Sequence, residues 1–376
     1  MRGSIVRRGG TWSIVHDEPT GDGTRRQRWV GGYKTRREAE RALADALARI
    51  GSGGYVEPSR LSFGAYLTGT WLPSIRASVR PSTLTRYKLD VNTKLVPALG
   101  AVPLQRVTGA MLDKLYADLL GRGLSPASAR HLHAVAHRAL RDATRNDLIP
   151  RNVADAATPP RVARRELAVW TAAELRTFLA SVEEDRLYAA WWLLSTAGPR
   201  RGEALGLRWS DVDLKARRLA IVRSLVQRGR ELEFTEPKTK RGRRSLVLDE
   251  RTAAILEAHR RRQLEERFEL GLGRPEPDGL VFTDPLGEPV KPDSLSQKFD
   301  RTVARLGLPR IRLHDLRHGA ATLMLASGAN PKTVSERLGH ASTAFTMDTY
   351  AASVPALEEE TAAKVAALLD ADGPRR

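Results

Sequence analysis

Two linker-like segments divide this chain into parts with different local patterns, and that division constrains the fold most. Gly51-Ser52-Gly53-Gly54 is flexible by composition, whereas residues 156–166 are basic and stiffened by prolines. The 376 residues also exceed the length of one ordinary domain. We therefore predict a small domain at residues 1–50, a linker at 51–60, a helical domain at 61–155, a linker at 156–166 and a C-terminal domain at 167–376.

The N-terminal part has a strand-like pattern followed by a helical one. Short strands are predicted at Ser4–Arg7, Thr11–His16 and Arg26–Gly31, because glycine-rich and turn-rich residues separate them. Thr35 then caps a helix that runs to about Ile50. Three strands, one helix and a cluster of arginines favour a strand-based DNA-binding domain over a merely solvated basic face. The clustered arginines are Arg25, Arg26, Arg28, Arg36 and Arg37.

The next part is predicted to be helical, because its apolar-periodic runs each begin with capping residues. Leu89 and Met111 are among the predicted core positions. His131, His133 and His137 share the last run, and we interpret them as surface or packing residues because no cysteine or acidic partner completes a metal site. The predicted helices are Phe63–Leu72, Ser82–Leu95, Thr108–Arg122 and Ser125–Asn146, with caps at Ser62, Pro81-Ser82, Thr108 and Ser125-Pro126.

The C-terminal part combines helices with a few strands. Thr171-Ala172-Ala173-Glu174 matches the capping-box pattern and predicts a helix start. Strand-like runs interrupt the later helices at Arg218–Leu225, Glu231–Phe234 and Arg244–Leu248. The predicted fold class is therefore mainly α with small antiparallel β-sheets, in several domains.

Composition restricts the partners and the compartment. A formal net charge of +18 and a sequence pI of about 10.7 favour a polyanionic partner, which is DNA, RNA or a membrane surface. The sequence contains no cysteine, which excludes disulfides, thiolate chemistry and cysteine-ligated zinc. No run reaches the length of a membrane helix, and the first residues lack the apolar run of a signal peptide. We predict a cytoplasmic protein without a membrane partner.

A set of residues in the C-terminal half suits one kind of chemistry. Phosphodiester cleavage by a tyrosine needs cations on the non-bridging oxygens, proton carriers for the other oxygens and a phenol that attacks phosphorus. Arginine suits the first role because its planar fork pairs with two phosphate oxygens and keeps its proton. The candidates, in chain order, are Arg200, Lys238, His314, Arg317, His340 and Tyr350.

Lys238 lies between the strand-like runs Glu231–Phe234 and Arg244–Leu248, and this placement predicts a β-hairpin. Most cations of the chain are arginine, yet this turn carries lysine. A lysine can give a proton to the leaving 5′ oxygen, whereas an arginine cannot. Lys240 is the alternative proton donor. A second alternative is that this basic loop only binds the phosphate backbone of DNA and has no catalytic role.

His314 and Arg317 are three residues apart in a predicted helix, Leu313–Ala326, and therefore share one face. His318 adds a His-x-x-x-His spacing that also occurs in zinc sites. The metalloprotease version of that motif needs a glutamate after the first histidine, where this chain has Asp315. Arg317 on the same surface would also repel a cation. We therefore predict no metal and no cofactor.

Several segments resemble the motif boxes of the tyrosine recombinases, the phage-integrase family. The first box has one departure, Ala197, where a threonine commonly precedes the glycine. In addition, the start of the second predicted helix resembles the start of the core-binding domain of that family. The matching boxes are Ser195–Asp213, Pro237-Lys238-Thr239, His314-Asp315-Leu316-Arg317-His318, Gly339-His340 and Phe345–Tyr350.

The resemblance implies a role for each candidate. Tyr350 would attack phosphorus and form a 3′-phosphotyrosyl link, Lys238 would be the general acid, and His340 would donate a hydrogen bond to the scissile phosphate. Arg200 would be the first catalytic arginine, with Glu203 orienting or capping it. His314 and Arg317 would be the catalytic members of the box that contains them. The covalent link keeps the energy of the phosphoester bond, so rejoining needs neither ATP nor metal.

The resemblance also implies an architecture and partners. The architecture would be similar to lambda integrase: a β-β-β-α arm-binding-type domain, a helical core-binding (SAM-like) domain and a mixed α+β catalytic domain. The substrate would be double-stranded DNA attachment sites, bound by a nucleoid-associated homotetramer. A DNA-bending factor and an excisionase would be the accessory partners. The amphipathic run Pro355–Leu369 would dock on the next protomer, with packing on its own domain as the alternative.

Three alternatives remain. A type IB topoisomerase uses nearly the same residues on one duplex as a monomer, and a host-type resolvase uses the same chemistry. Residues 1–50 argue against the resolvase, because such recombinases usually begin at the core-binding domain. A non-catalytic DNA-binding protein of the same fold is the third alternative, and the complete set of candidate residues argues against it.

Overall fold

The computed structural model describes residues 3–19, 25–51, 56, 58–163, 168–236, 242–273 and 276–339. Contacts divide the chain into two compact units, Met1–Arg164 and Arg165–Arg376. The chain is mainly helical with small antiparallel sheets, which confirms the predicted fold class. Within the described ranges, no helix is long and apolar enough to cross a membrane.

The first unit begins with a three-stranded antiparallel sheet and a helix, as predicted. Ile14 lies on the central strand, pairs with Ile5 and Val30, and is buried. The helix starts with reciprocal capping bonds, because Thr35 Oγ1 accepts from the Glu38 amide at 3.2 Å and the Glu38 carboxylate accepts from the Thr35 amide at 3.2 Å. The elements are β1 (Gly3–Arg8), β2 (Thr11–Pro19), β3 (Arg25–Tyr33) and α1 (Arg36–Gly51).

Helices make up the rest of the first unit. Ser62, Thr108 and Ser125 each cap a helix by accepting a backbone N–H, as predicted. Ser82 is not a cap, because the helix begins at Pro81 with Arg80 before it. The α-helices are α2 (Phe63–Ala65), α3 (Leu72–Ser74), α4 (Pro81–Asp90), α5 (Val96–Leu99), α6 (Gly109–Gly121) and α7 (Pro126–Arg145), with π-helical turns at Tyr66–Trp71 and Val91–Leu95 and 3₁₀ turns at Leu104–Arg106 and Val153–Ala156.

Two predicted core positions in this helical part were wrong. Leu89 and Met111 are exposed rather than in the core, because each points away from the packed face of its helix. The histidines of α7 do have acidic neighbours: His137 Nε2 lies 2.7 Å from Asp155 Oδ1, and His131 lies 3.5 Å from the buried Asp90. These are single pairs, and no group of three metal-ligating side chains occurs among the residues that the structure describes.

The second unit is built around an aromatic core. Trp170, Phe178, Trp191 and Phe299 pack with ring centroids 5.3–6.2 Å apart. The capping box at Thr171 and Glu174 is present as predicted. The helices are α8 (Ala172–Ser181), α9 (Tyr188–Thr196), α10 (Arg201–Leu205), α11 (Glu250–Glu269), α12 (Pro292–Leu306), α13 (Asp315–Ala326) and α14 (Pro331–Leu338). The strands are β4 (Val212–Asp213), β5 (Arg218–Ile221), β6 (Ser224–Arg228), β7 (Glu231–Thr235) and β8 (Arg244–Val247).

Strand pairing in the second unit differs from the prediction. The run Arg218–Leu225 is two strands in two sheets, because β5 joins the sheet β4-β5-β8 whereas β6 pairs with β7. The predicted hairpin between β7 and β8 is therefore wrong. β7 instead follows β6 through the two-residue turn Gly229-Arg230, in which Gly229 has a φ of +62° and Arg228 pairs with Glu231. A separate contact places β6 on α10, because a Cβ at Gly202 would lie 2.5 Å from the Leu225 carbonyl oxygen. Glycine at this position lets the strand pack on the helix backbone.

Candidate active site

The loop between α9 and α10 brings the first predicted box against α13 and α14. Gly198 has a φ of +63°, and a Cβ there would lie 2.6 Å from Leu338 Cδ2 and 3.3 Å from Ala320 Cβ. Only glycine combines this backbone conformation with this contact. The glycine therefore sets how closely the loop that precedes Arg200 approaches the two helices.

Arg200 lies at the start of α10 and is fixed by Glu203. Its backbone N–H donates to Glu203 Oε2 at 2.9 Å and its Nη1 donates to Oε1 at 2.6 Å. Its Nη2 donates to the carbonyl oxygen of Gly339 at 3.2 Å. Glu203 both caps the helix and orients the guanidinium, as predicted. The Arg200 side chain keeps 42% of its surface exposed, enough to contact a ligand.

Arg317 lies on α13 and reaches the same place from another direction. Its Nη1 donates to the Gly198 carbonyl oxygen at 2.7 Å, and its Nη2 donates to that of Leu338. The residue is buried. Arg200 and Arg317, distant in sequence, therefore meet at the C-terminal end of α14.

Arg244 belongs to this arrangement and was not identified from the sequence. Its Nη2 donates to Glu203 Oε2 at 2.8 Å, and its Nε donates to the Arg337 carbonyl oxygen at 2.6 Å. Three successive carbonyls of the α14 terminus, those of residues 337, 338 and 339, thus accept from Arg244, Arg317 and Arg200. Cations at a helix C-terminus are favoured by the helix dipole. Strand alternation is the signal that could have revealed Arg244, because it shares the face of buried Leu246.

The carboxylate of Glu203 is the anionic centre of the site. Burial alone would raise its pKa, but the hydrogen bond and the charge of Arg244, together with those of Arg200, hold the pKa below its usual value. Glu203 therefore stays ionised and neutralises part of the charge of both guanidinium groups.

His314 immediately precedes α13 in a helical backbone conformation, so it and Arg317 lie on the same turn. Its ring is perpendicular to that of His318, with the centroids 5.4 Å apart. Its surroundings lower its pKa to about 4: desolvation contributes most, then the neighbouring His318 and Arg317, against the opposing charge of Asp315. His314 is therefore neutral near pH 7 and able to accept a proton.

The structure brings Arg200, His314 and Arg317 into one region. Lys238, its alternative Lys240, His340 and Tyr350 lie outside the described residues, as does the run Pro355–Leu369. The described backbone ends at Gly339, whose carbonyl oxygen is held by Arg200. Gly339 has a φ of +67° and ends α14, as predicted.

Comparison with known proteins shows which family the chain belongs to. Residues 169–356 match the phage integrase family. The chain belongs to the phage integrase family. The matched half of the chain contains all the candidate catalytic residues, and the members of the family are tyrosine recombinases, enzymes that cleave and rejoin DNA. Residues 4–50 match a second family, the arm DNA-binding domain.

Relatives and solved structures agree with this assignment. The chain is 27% identical over 342 residues to a "Tyrosine recombinase XerC-like" protein of Caldanaerobacter subterraneus, covering 86% of this chain and 87% of that protein. The fold is similar to that of the Tn1549 transposon integrase in complex with transposon right end DNA, with a TM-score of 0.67 and 21% identity over 76% of this chain and 94% of that chain. It is also similar to a lambda integrase tetramer bound to a Holliday junction, with a TM-score of 0.55 and 20% identity over 90% of this chain and 96% of that chain.

Proposed function

We propose that this recombinase integrates or excises a mobile DNA element through a covalent 3′-phosphotyrosyl intermediate on Tyr350. The observation that carries the proposal is the convergence of Arg200 and Arg317 on neighbouring carbonyls directly before His340. Tyr350 follows in the same matched family segment. The two guanidinium groups and the nucleophile therefore belong to one catalytic domain.

The reaction follows from the chemistry of these groups. Arg200 and Arg317 neutralise the non-bridging oxygens, which gain charge in the pentacoordinate transition state. The Tyr350 phenol oxygen bonds to phosphorus, and neutral His314 takes the proton that the phenol loses. The bond from phosphorus to the 5′ oxygen breaks, and Lys238 supplies the proton of the new 5′ hydroxyl. Attack by another 5′ hydroxyl reverses these steps and restores the phosphodiester.

Residues 1–50 are proposed to bind a second class of DNA site, as an arm-type domain. Trp29 lies on β3 with 49% of its surface exposed, and the Arg8 guanidinium lies 5.1 Å from the centroid of its ring. A sheet face with a cation held over an exposed aromatic ring suits contact with phosphates and bases. The match of residues 4–50 to the arm DNA-binding family supports an integrase over a host-type resolvase.

The proposed assembly is a homotetramer on two double-stranded attachment sites. The similarity in fold to the lambda integrase tetramer supports it. A DNA-bending factor and an excisionase are the proposed accessory partners, as the resemblance to integrases implies. Bending by a separate factor would supply the energy of deforming the DNA between the two classes of site.

Strand exchange between duplexes tests the proposal against a type IB topoisomerase. The substrates are two labelled duplexes of different length that carry the junction sequences flanking the gene. An integrase produces recombinant duplexes of new length through a 3′-linked protein adduct. Relaxation of supercoiled DNA without any recombinant product would assign the chain to the topoisomerase class instead.

A further inference from the structure

Arg244 is a buried cation placed between the segments that carry the proposed catalytic residues. Its side chain is 7% exposed and that of Glu203 is 3% exposed, so it reaches neither solvent nor a large ligand. Burying a guanidinium costs free energy of desolvation, which its ion pair and hydrogen bonds must offset. We therefore ask what those contacts hold in place.

Each hydrogen bond of Arg244 fixes one part of the site. The bond to Glu203 Oε2 holds the carboxylate whose other oxygen binds Arg200 Nη1. The bond to the Arg337 carbonyl oxygen holds the last turn of α14, which leads into Gly339 and then His340. A third bond, from Nη1 to the Gly242 carbonyl oxygen at 3.1 Å, holds the backbone at the end of the segment that contains Lys238.

We propose that Arg244 is a positioning residue for DNA cleavage, acting through Glu203 on Arg200. This inference rests on the proposed function above. Without Arg244, Glu203 loses one of its two cations and the end of α14 loses one of its three guanidinium contacts. Arg200 then no longer has a single orientation toward the scissile phosphate, although its own charge remains.

Arg243 provides a matched control. It is the neighbouring residue and carries the same charge, but its side chain is 57% exposed and pairs with Glu236, which is 79% exposed. Exposed pairs contribute little to stability. Arg243→Met therefore removes the same charge from the same segment without touching the carboxylate that orients Arg200.

The experiment measures single-turnover formation of the covalent adduct on a nicked suicide substrate at saturating protein. Arg244→Met is expected to slow the adduct by on the order of 10- to 100-fold, by analogy with the outer residues that orient the ligands of a metal site. Arg243→Met should stay within about 3-fold of the wild type, as for an exposed pair. The double variant Arg200→Ala/Arg244→Met should be no slower than Arg200→Ala, because the two residues act as one unit.

A second substrate separates positioning from a general loss of structure. When a methyl group replaces one non-bridging oxygen of the scissile phosphate, the negative charge that Arg200 neutralises is absent. On this substrate Arg244→Met should approach the wild-type rate, as Arg200→Ala should. An equal loss on both substrates means that Arg244 only supports the fold and overturns the proposal, as does a wild-type rate on the natural substrate.

Two further outcomes are also decisive. If Arg244→Met does not fold, Arg244→Lys, which keeps the buried charge, takes its place. Its rate of adduct formation is then compared on the natural and the methyl-substituted substrate. Failure of both variants to fold assigns Arg244 to domain stability and overturns the positioning role. If the wild type itself forms no adduct, it is the proposed function that fails, a result distinct from any failure of Arg244.

Discussion

At the scale of single residues, the site combines fixed cations with groups that can exchange a proton. Arg200 and Arg317 keep their charge and are held by backbone carbonyls and by Glu203. His314 is the complement, because its lowered pKa leaves it neutral. Residue type and surroundings therefore decide which of these side chains carries a fixed charge and which can take up a proton.

The protonation of His314 can be measured directly. Its pKa of about 4 lies below the ordinary value of 6.5, so the unfolded chain binds this proton first as the pH falls. The stability that neutral His314 contributes is present above pH 6.5 and is lost as the pH falls toward 4. NMR titration should show this ring, assigned with His314→Gln, still neutral at pH 5.5. Bound DNA should raise its pKa because of the phosphate charge. Titration near 6.5 in the free protein would contradict the lowered value.

Lys238 should be required for the leaving group rather than for binding. Lys238→Ala is expected to slow cleavage much more than it weakens DNA affinity. A bridging 5′-phosphorothiolate should restore cleavage, since sulfur leaves without a proton. The matched control is Lys240→Ala. If the phosphorothiolate substrate restores cleavage by Lys240→Ala and not by Lys238→Ala, the general acid is Lys240.

At the scale of elements, the close contact of the α9–α10 loop with α14 is the feature on which the site depends. Gly198→Ala should cost about 1–2 kcal/mol for the left-handed backbone and a further 1–3 kcal/mol for displacing Leu338 and Ala320. Gly229→Ala is the control, because Gly229 has a φ of +62° and nothing within 4 Å. Urea denaturation should separate the two variants, and only Gly198→Ala should also slow adduct formation. Equal stability of both would contradict the packing argument.

The sequence predicted elements with local signals and failed where distant segments meet. The caps at Thr35, Thr108 and Thr171 were confirmed because a cap depends on residues within one turn. The pairing of β7 with β6 follows from the two-residue turn Gly229-Arg230, a local signal that the prediction overlooked, whereas the close approach of β6 to Gly202 has no local pattern. Arg200 and Arg317 were found as members of a motif, not from geometry.

Arg244 was missed because two of its three hydrogen-bond partners lie far along the chain. Glu203 and Arg337 are both distant in sequence, and arginines are abundant in this chain. Only the alternation of β8 distinguishes this arginine from exposed Arg243. Tertiary hydrogen bonds of this kind require the fold before they can be predicted.

At the scale of the whole molecule, the domain boundaries remain a prediction that truncation can test. A variant lacking residues 1–57 should still cleave and rejoin a core site, since every candidate catalytic residue lies downstream. It should lose binding to a second class of site. It should also lose integration on longer DNA, because a tethered second contact raises occupancy of the first without altering its chemistry. Footprinting of full-length and truncated protein on attachment-site DNA measures this. Identical footprints would show that the N-terminal domain is a solvated basic appendage.

The central claim is that Tyr350 is the nucleophile, and formation of a covalent protein–DNA adduct tests it most directly. The wild type, Tyr350→Phe and the control Tyr188→Phe are incubated with a nicked suicide substrate and resolved on a denaturing gel. The wild type and Tyr188→Phe should form the adduct, with the DNA linked through its 3′ phosphate to the peptide containing Tyr350. Tyr350→Phe should bind the same DNA with unchanged affinity and form no adduct. A persistent adduct in Tyr350→Phe would place the nucleophile elsewhere and contradict the account.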